Sequence, residues 1–276
     1  LVAGRAVPEL LTAMPDWTKD SDYAWTDALS RREWAWEFLR RNPEFSSAWE
    51  TARLEYGTAG YEGQTTIIVS QHQVPTLALW GCLYCSSPEE DARKAAVLWL
   101  PEAHPGVLRL TAFPVSADIE ATMFLLREIV SPSILLELPE GPQNLLFMDG
   151  GHGLQLVIVG EDIMRPVRLM ADGAPQRSSA QPQLRALQCF QDLRLSGRLY
   201  ASHLQREPLS LYRRLVLRAL DGHLAGASQQ QIAQHVLADY SDEKWFSPDR
   251  PLRERLRRAL RRGRALMQGG YRRLLS

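Results

Sequence analysis

The sequence predicts an α+β protein: a helical N-terminal hairpin, a small, mostly antiparallel β-rich middle, and an all-α, helix-turn-helix-like C-terminal domain. Tryptophan is concentrated in residues 15–57, and short β-branched or apolar runs fill residues 65–172. From residue 184 onward the apolar residues recur with the helical period. We therefore expect an N-terminal domain at 1–172, a linker at 173–183 that contains Gly and Pro, and a C-terminal domain at 184–276.

Length and composition limit the class of protein. The chain has 276 residues, of which 45% are hydrophobic, enough for two domains with apolar cores. No apolar run approaches the ~18–20 residues that cross a bilayer. The first residues lack the apolar core of a signal peptide, and three cysteines are too few for a disulfide framework. We therefore expect a cytoplasmic protein with no membrane partner.

The N-terminal hairpin is rich in aromatic residues, because residues 15–57 hold five of the eight tryptophans. Ser30–Glu33 has the form of a capping box, which predicts the start of a first helix. Asn42 is expected to cap a second helix, with Pro43 at its first position and Gly57 as its end. Such a hairpin either builds a core or presents a protein-contact surface.

The middle region is predicted to contain seven strands and one helix. The strands are Thr65–Ser70, Thr76–Tyr84, Ala95–Leu100, Val107–Phe113, Leu145–Met148, Leu154–Val159 and Val167–Met170. Ser116 is expected to cap a helix from Ala117 to about Ile129, and Asp149–Gly153 reads as a hairpin loop. A pocket of this sheet that senses a ligand remains an open alternative.

Four helices are predicted in the C-terminal domain. The first carries a stripe from Leu184 to Leu193, and the second begins at Pro208 and ends near Asp221–Gly222. Ser228–Gln231 is a second capping box, here with Gln reaching back, and begins a third, short helix. The loop Ala238–Pro248 leads to the fourth.

The fourth helix carries a concentrated positive charge. From residue 251 onward there are nine arginines and one acid, Glu254, a balance of +8, so residues 1–250 of this neutral chain carry −8. At about 100° per residue, one face is apolar and is formed by Leu252, Leu256, Ala259, Leu260, Gly263, Leu266 and Met267. Asp249 is a candidate N-cap, and Gly269 and Gly270 mark the end of the helix.

The order of these helices resembles a helix-turn-helix domain, with the arginine helix in the major groove of DNA. Arginine suits bidentate contacts with phosphates and guanine edges. Arg253, Arg257, Arg261 and Arg264 form one flank, and Arg255, Arg258 and Arg262 form the other. The predicted DNA-binding residues are these seven arginines with Gln229, Gln230 and Lys244. The loop before the arginine helix exceeds the usual turn of ~3–4 residues, as in wider winged or sigma-type variants.

An alternative for this helix is a solvated face whose arginines pair with the acidic body of the chain. Enzyme signatures are weak by comparison. Cys82 and Cys85 form a C-x-x-C without a second pair, and on a regular strand they point to opposite faces, so packing is expected rather than zinc or redox chemistry. His152 lies in a Gly-rich loop that no helix follows, which favours a turn over a phosphate site. No catalytic residue, metal or cofactor is predicted.

Several segments resemble one family, the RovC-like proteobacterial regulators. The C-terminal segments are Ala219–Ala233, Leu256–Gly263 and Gly269–Leu275. The N-terminal segments are Pro15–Thr18, Asp22–Tyr23 and Ser30–Pro43, with Ala96–Trp99 and Leu145–Leu156 between.

The resemblance implies a DNA-binding activator of secretion-system or mobile-element genes. It also implies self-association into a homo-oligomer, with RNA polymerase or a partner regulator as further partners beside double-stranded DNA. Short members of the family are antiactivators that bind a partner regulator, which is the alternative function for this chain.

Overall fold

The computed structural model describes residues 14–115, 123–139, 141–149, 152–171, 180–200, 208–247 and 251–275. The protein is α+β, and its contacts define two compact units, each made of separate stretches of chain. The helical unit contains the described residues of Leu1–Asn42 and Arg206–Tyr271. The sheet unit contains those of Pro43–Gln205 and Arg272–Ser276.

The N-terminal stretch is helical, as predicted. A 3-10 helix at Ser21–Ala28 precedes α1 (Arg31–Leu39), and α2 spans Pro43–Ala52. The capping box of α1 is confirmed, since the Glu33 carboxylate accepts the N–H of Ser30 at 2.9 Å. The second helix is shorter than expected. After Ala52 the chain forms a 3-10 turn and enters a strand at Tyr56, before the predicted stop at Gly57.

A mixed, seven-stranded sheet dominates the sheet unit. Its strands are β1 (Tyr56–Glu62), β2 (Thr65–Ser70), β5 (Leu108–Pro114), β6 (Ser133–Glu137), β7 (Gln143–Asp149), β8 (His152–Gly160) and β9 (Val167–Ala171). Their order is β1-β2-β6-β7-β8-β5-β9, with parallel pairing only for β2 with β6 and for β5 with β8. A separate hairpin pairs β3 (Cys82–Cys85) with β4 (Val97–Trp99). Antiparallel pairing therefore predominates, as predicted.

Two predicted elements of the middle region are wrong in part. The proposed strand Thr76–Tyr84 begins as a one-turn helix, α3 (Pro75–Ala78), because Pro75 occupies the first helical position. Ser116 and the first residues of the proposed helix 117–129 lie outside the described residues. The remainder is not α-helical, since Phe124 bridges to a strand and only Leu126–Glu128 forms a 3-10 turn.

The C-x-x-C pair packs in the interior, as expected. Both thiols are free and buried, but they do not point apart as a regular strand requires, because the ladder is irregular between Cys82 and Tyr84. Burial, followed by a hydrogen bond with Cys82, raises the pKa of the Cys85 thiol well above its usual range. A thiol held in this protonated state is a poor metal ligand and a poor nucleophile.

The predicted stripe from Leu184 to Leu193 lies on α4 (Ala180–Ser196), and Gly197 ends it at a φ of 69°. Its buried face packs against β5 and β8 in the core of the sheet unit. Sequence reasoning placed this helix with the C-terminal helices. Most of the predicted linker, 173–183, lies outside the described residues, and its last residues from Ala180 are helical. Independent folding of the predicted domains remains a prediction.

The remaining helices belong to the helical unit. They are α5 (Ser210–Leu224), α6 (Gln229–Val236), α7 (Asp242–Phe246) and α8 (Pro251–Met267). The α7 helix lies inside the segment predicted as a loop, where the Ser241 hydroxyl accepts the N–H of Lys244. A 3-10 helix, Gly270–Leu274, follows α8 after Gly269.

Candidate nucleic-acid interface

The arginine helix packs through the apolar face that the sequence predicts. All seven predicted face residues of α8 are buried. One of them, Gly263, lets α8 approach α5 closely. A Cβ atom at this position would lie 3.1 Å from the Cβ of Leu220 and 3.3 Å from the carbonyl oxygen of Val216. Burial of this face directs the charged flanks of the helix outward.

The α5 and α6 helices form a helix-turn-helix pair. Gly226 in the connecting turn has a φ of 79°, a left-handed conformation that favours glycine. The Ser228 capping box is confirmed: its hydroxyl accepts the N–H of Gln231 at 3.3 Å, and the Gln231 side chain accepts the N–H of Ser228 at 2.9 Å. Ile232, together with Ala233 and Val236 of the same face, is buried.

A groove lies between the start of α6 and one flank of α8. It has a volume of about 350 Å³ and is lined by Gln229, Arg257, Leu260, Arg261, Arg264, Ala265 and Gln268. Three guanidinium groups and two amides line this groove, and its lining contains no carboxylate. Guanidinium and amide N–H groups are donors, so the groove suits an anion such as a phosphate group.

The arginines of this groove are available to a ligand. Arg257 donates to Glu254 at 2.8 Å, but both side chains are about half exposed at 49% and 48%, so water screens the pair. Within the described ranges, neither Arg261 nor Arg264 forms an ion pair. The groove therefore keeps most of its positive charge.

The positive charge of Arg264 also acts on His223. Burial, and then the positive charge of Arg264, lower the pKa of His223 below its usual value of 6.5. A depressed pKa means that a second positive charge is disfavoured beside Arg264 when no anion is bound.

Two regions of the chain match known families. Residues 170–276 match the family described as "T6SS, Transcription factor, DNA binding domain". Residues 16–69 match the "Proteobacterial transcriptional regulator-like domain". These two matches agree with the resemblance to the RovC-like proteobacterial regulators. No curated protein matches the chain. The two domains support a DNA-binding transcription regulator, and they point to a regulatory rather than an enzymatic role.

The four arginines that periodicity assigns to one flank of α8 have different surroundings. Arg253 is half-buried, and its guanidinium stacks over the rings of Trp245 and Phe246 at 5.4 and 5.6 Å. It is therefore held against α7, whereas Arg257, Arg261 and Arg264 continue into the groove.

The three arginines on the opposite flank of α8 also differ in their surroundings. Arg255 donates to Asp239 at 2.8 Å, while Arg258 and Arg262 are exposed and form no ion pair with any residue in the described part of the chain. Lys244 is exposed on α7, where acidic neighbours at 239, 242 and 243 surround it in sequence.

The two predicted glutamines occupy different places. Gln229 lines the groove beside the arginines. Gln230 instead donates to the hydroxyl of Tyr240 at 3.3 Å, and this hydroxyl donates to Asp242 at 2.7 Å. Sequence reasoning brought Gln229 to the site through the capping box, but it missed Gln268 and His223. Gln268 lies four residues after Arg264, one helical turn further along the chain, and this spacing was the available signal.

Among the described residues, no group of three or more His, Cys, Asp or Glu side chains could hold a metal ion. The helices that the structure describes include none with the length and hydropathy needed to cross a membrane.

Proposed function

We propose that this chain is a sequence-specific, double-stranded DNA-binding transcription activator whose DNA interface is built on α8 and the start of α6. The observation that supports this proposal most directly is the groove of Arg257, Arg261, Arg264 and Gln229. Its donors are fixed on two helices that a confirmed cap and a buried apolar face hold in place. A DNA backbone presents the phosphate groups that such donors bind.

The arginines take different roles in this proposal. Arg257, Arg261 and Arg264, with Gln229, contact phosphates of one strand. Arg258 and Arg262 are free of ion pairs among described residues and reach base edges or the opposite strand. Stacking and pairing leave Arg253 and Arg255 to orient the helix, with Gln230 and Lys244 at the edge of the interface.

The regulated genes are proposed to be those of a secretion system or of a mobile element. The term T6SS in the matched family description supports the first of these. Such a regulator works in the cytoplasm, where the chromosome lies, and activation requires contact with RNA polymerase or a partner regulator. We also propose a homo-oligomer, because one recognition helix contacts few base pairs and repeated half-sites increase specificity.

The test combines target discovery with a matched pair of variants. Sequencing of DNA recovered with the protein from cells identifies candidate sites, and titration with a duplex of such a site gives affinity. Changing Arg257, Arg261 and Arg264 together to alanine should lower that affinity by about 1,000-fold or more at low salt, since each of the three charge-assisted contacts contributes at least about 1.5 kcal/mol.

The control removes the same charge elsewhere. Arg53, Arg109 and Arg165 of the sheet unit are 50%, 54% and 77% exposed, and their triple alanine variant should bind like the unmodified protein. Equal affinity of the two triple variants, or a protein that recovers no DNA, would contradict the proposal. Sedimentation of the complex tests the oligomer.

A further inference from the structure

Residues 14–42 belong to the same compact unit as the helices that form the groove. They are separated from α5 by more than 160 residues of sequence. The two matched family regions do not divide the chain in this way, because the N-terminal match continues to residue 69 and the C-terminal match begins at 170. The N-terminal segment 14–42 thus packs with the helix-turn-helix pair.

Asp221 of α5 is the centre of this association. Its carboxylate accepts two hydrogen bonds from Arg41, from Nε at 2.5 Å and from Nη2 at 2.8 Å. It also accepts the hydroxyl of Tyr23 at 2.5 Å. The side chain of Arg41 is fully buried and that of Asp221 is 5% exposed. Three donors on one buried carboxylate fix both its position and that of α5.

Buried charges on α1 complete this cluster. Glu37 accepts Arg40 at 2.9 Å and Arg41 at 2.7 Å, and all three side chains have no exposed surface. Burial alone would raise the pKa of Glu37, but the two guanidinium groups outweigh it, so that the pKa lies below its usual value. The negative charges of Glu37 and Asp221 therefore balance the positive charges of Arg40 and Arg41. This balance matters because an unpaired charge in a buried cluster is strongly destabilising.

A second anchor joins the segment to α5 and α6. Arg218 of α5 donates to Asp20 at 2.7 Å, to the carbonyl of Trp17 at 3.2 Å and to the carbonyl of His235 at 2.8 Å. The ring of Trp17 also meets the ring of His235 edge to face, with their centroids 5.5 Å apart. One arginine therefore contacts the N-terminal segment and α6 together.

A third anchor reaches the arginine helix itself. The side-chain amide of Asn42 donates to the carbonyl oxygen of Met267, the last residue of α8, at 3.2 Å. α1 also packs along α8. The N-terminal segment therefore contacts α5, α6 and α8, all three helices that set the geometry of the groove.

We infer that Asp221 is a positioning residue for DNA recognition, and that segment 14–42 is an integral part of the DNA-binding unit. Through Arg41 and Tyr23, Asp221 holds the N-terminal segment against α5, and the segment in turn contacts α6 and α8, the two helices whose residues line the groove. This inference rests on the proposed DNA-binding function. It assigns a role in recognition to a region that lies far from the arginines in sequence and contributes no residue to the groove.

The test separates misplacement of α8 from simple unfolding. Asp221→Asn and Tyr23→Phe are made in the full chain, and each is titrated with a duplex from the recovered sites and with a scrambled duplex of the same composition. Partial unfolding would lower both affinities by one factor, leaving their ratio unchanged. A misplaced helix keeps its charge, so it still binds the scrambled duplex but no longer makes the specific contacts.

We expect the ratio of specific to scrambled affinity to fall by about tenfold or more for Asp221→Asn, because the buried guanidinium of Arg41 loses one of its two charged partners. Tyr23→Phe removes one hydrogen bond and should lower the ratio by roughly threefold to fivefold. Asp162→Asn, a half-exposed carboxylate of the sheet unit, is the matched control and should leave it unchanged.

Amide hydrogen exchange gives a readout that does not need DNA. Asp221→Asn should speed exchange in α5 and α8 while β7 and β8 keep their protection. Unchanged ratios in both variants, together with unchanged exchange in α8, would overturn the positioning role. If the unmodified protein recovers no DNA but exchange in α8 responds as expected, the proposed function fails while the structural link stands.

Discussion

At the scale of single residues, the seven arginines of α8 differ in what surrounds them, although all seven lie on the charged flanks that the helical period predicts. Arg253 stacks on two aromatic rings of α7, and Arg255 pairs with Asp239 in the segment before α7. Arg257, Arg261 and Arg264 share a groove. A helical repeat identifies which side chains leave the core, but it does not identify which of them another helix then covers. The three-dimensional structure was therefore needed to distinguish the arginines that contact neighbouring residues of the protein from those that are available to a ligand.

His223 provides a prediction on pH at this scale. In the free protein burial and Arg264 lower its pKa, so it is neutral near pH 7. A phosphate in the groove would offset Arg264 and raise this pKa, so that binding takes up a proton. DNA affinity should therefore rise as the pH falls from 8 to 6, by at most about tenfold per unit of pKa change.

Titrations of one duplex at constant ionic strength from pH 8 to 6 check this expectation, with His223→Gln as the variant that should lose the dependence. His72, which lies in the sheet unit, supplies the matched control His72→Gln. An identical pH dependence for all three proteins would show that His223 does not sense the bound phosphate.

At the scale of elements, the cap of α6 can be tested alone. Ser228→Ala removes an acceptor for the N–H of Gln231 and should destabilise the helical unit by about 1 kcal/mol. Exchange of the α6 amides through local opening should become about fivefold faster as a result. The full chain is required, because the N-terminal segment that packs on α5 is absent from a 184–276 fragment.

Ser47→Ala is a control for the chemical change, since Ser47 is exposed within α2 and caps no helix start. It should leave exchange in α6 unaltered. Unaltered exchange after Ser228→Ala would instead indicate that water replaces the cap without loss.

Gly263 tests the contact between α5 and α8. In an exposed helix, Gly→Ala stabilises by roughly 0.5–1 kcal/mol, because the backbone loses less entropy. Here the added methyl group would press on Leu220 at 3.1 Å and on backbone at 3.3 Å, and overpacking of a core costs about 1–3 kcal/mol. The steric effect is the larger, so Gly263→Ala should be destabilising overall.

Denaturant unfolding followed by helical circular dichroism measures this difference. Gly226→Ala is the informative comparison: no atom crowds that position, but its positive φ strains any other residue. A gain in stability for Gly263→Ala would mean that α5 and α8 separate easily, contrary to the close approach.

Elements with strong local signals were predictable from the sequence. The α8 face followed from an uninterrupted period of 3.6, and α1 and α6 followed from capping boxes. Strand β1 was missed because its Gly-Thr-Ala-Gly core has little β-propensity and pairs only through β2. The α7 helix was missed because five residues with one buried tryptophan give no periodic pattern.

At the scale of the whole molecule, contacts between residues far apart in the sequence could not be predicted from the sequence. Asp221 marked the end of a helix in the sequence, yet it binds Tyr23 across 198 residues. Nothing local distinguishes that aspartate from an exposed one. The assignment of α4 to the sheet follows the same rule, because its apolar stripe specifies burial but not the partner.

The distribution of charge over the whole chain gives the last prediction. The chain is neutral, with +8 after residue 250 and −8 before it, so its DNA affinity should come from local contacts rather than from net charge. Removing one arginine–phosphate interaction should reduce the slope of log affinity against log salt concentration by about 0.9. The alanine variant of Arg257, Arg261 and Arg264 should therefore have a slope smaller by about 2.7 if each arginine holds one phosphate. Between 50 and 200 mM salt, this difference in slope would reduce the ratio of the unmodified protein's DNA affinity to that of the variant by about 40-fold.

Titrations at four salt concentrations measure the slope, with the Arg53, Arg109 and Arg165 variant as the control of equal charge. A weaker variant with an unchanged slope would show that these arginines bind base edges or support the fold rather than the DNA backbone.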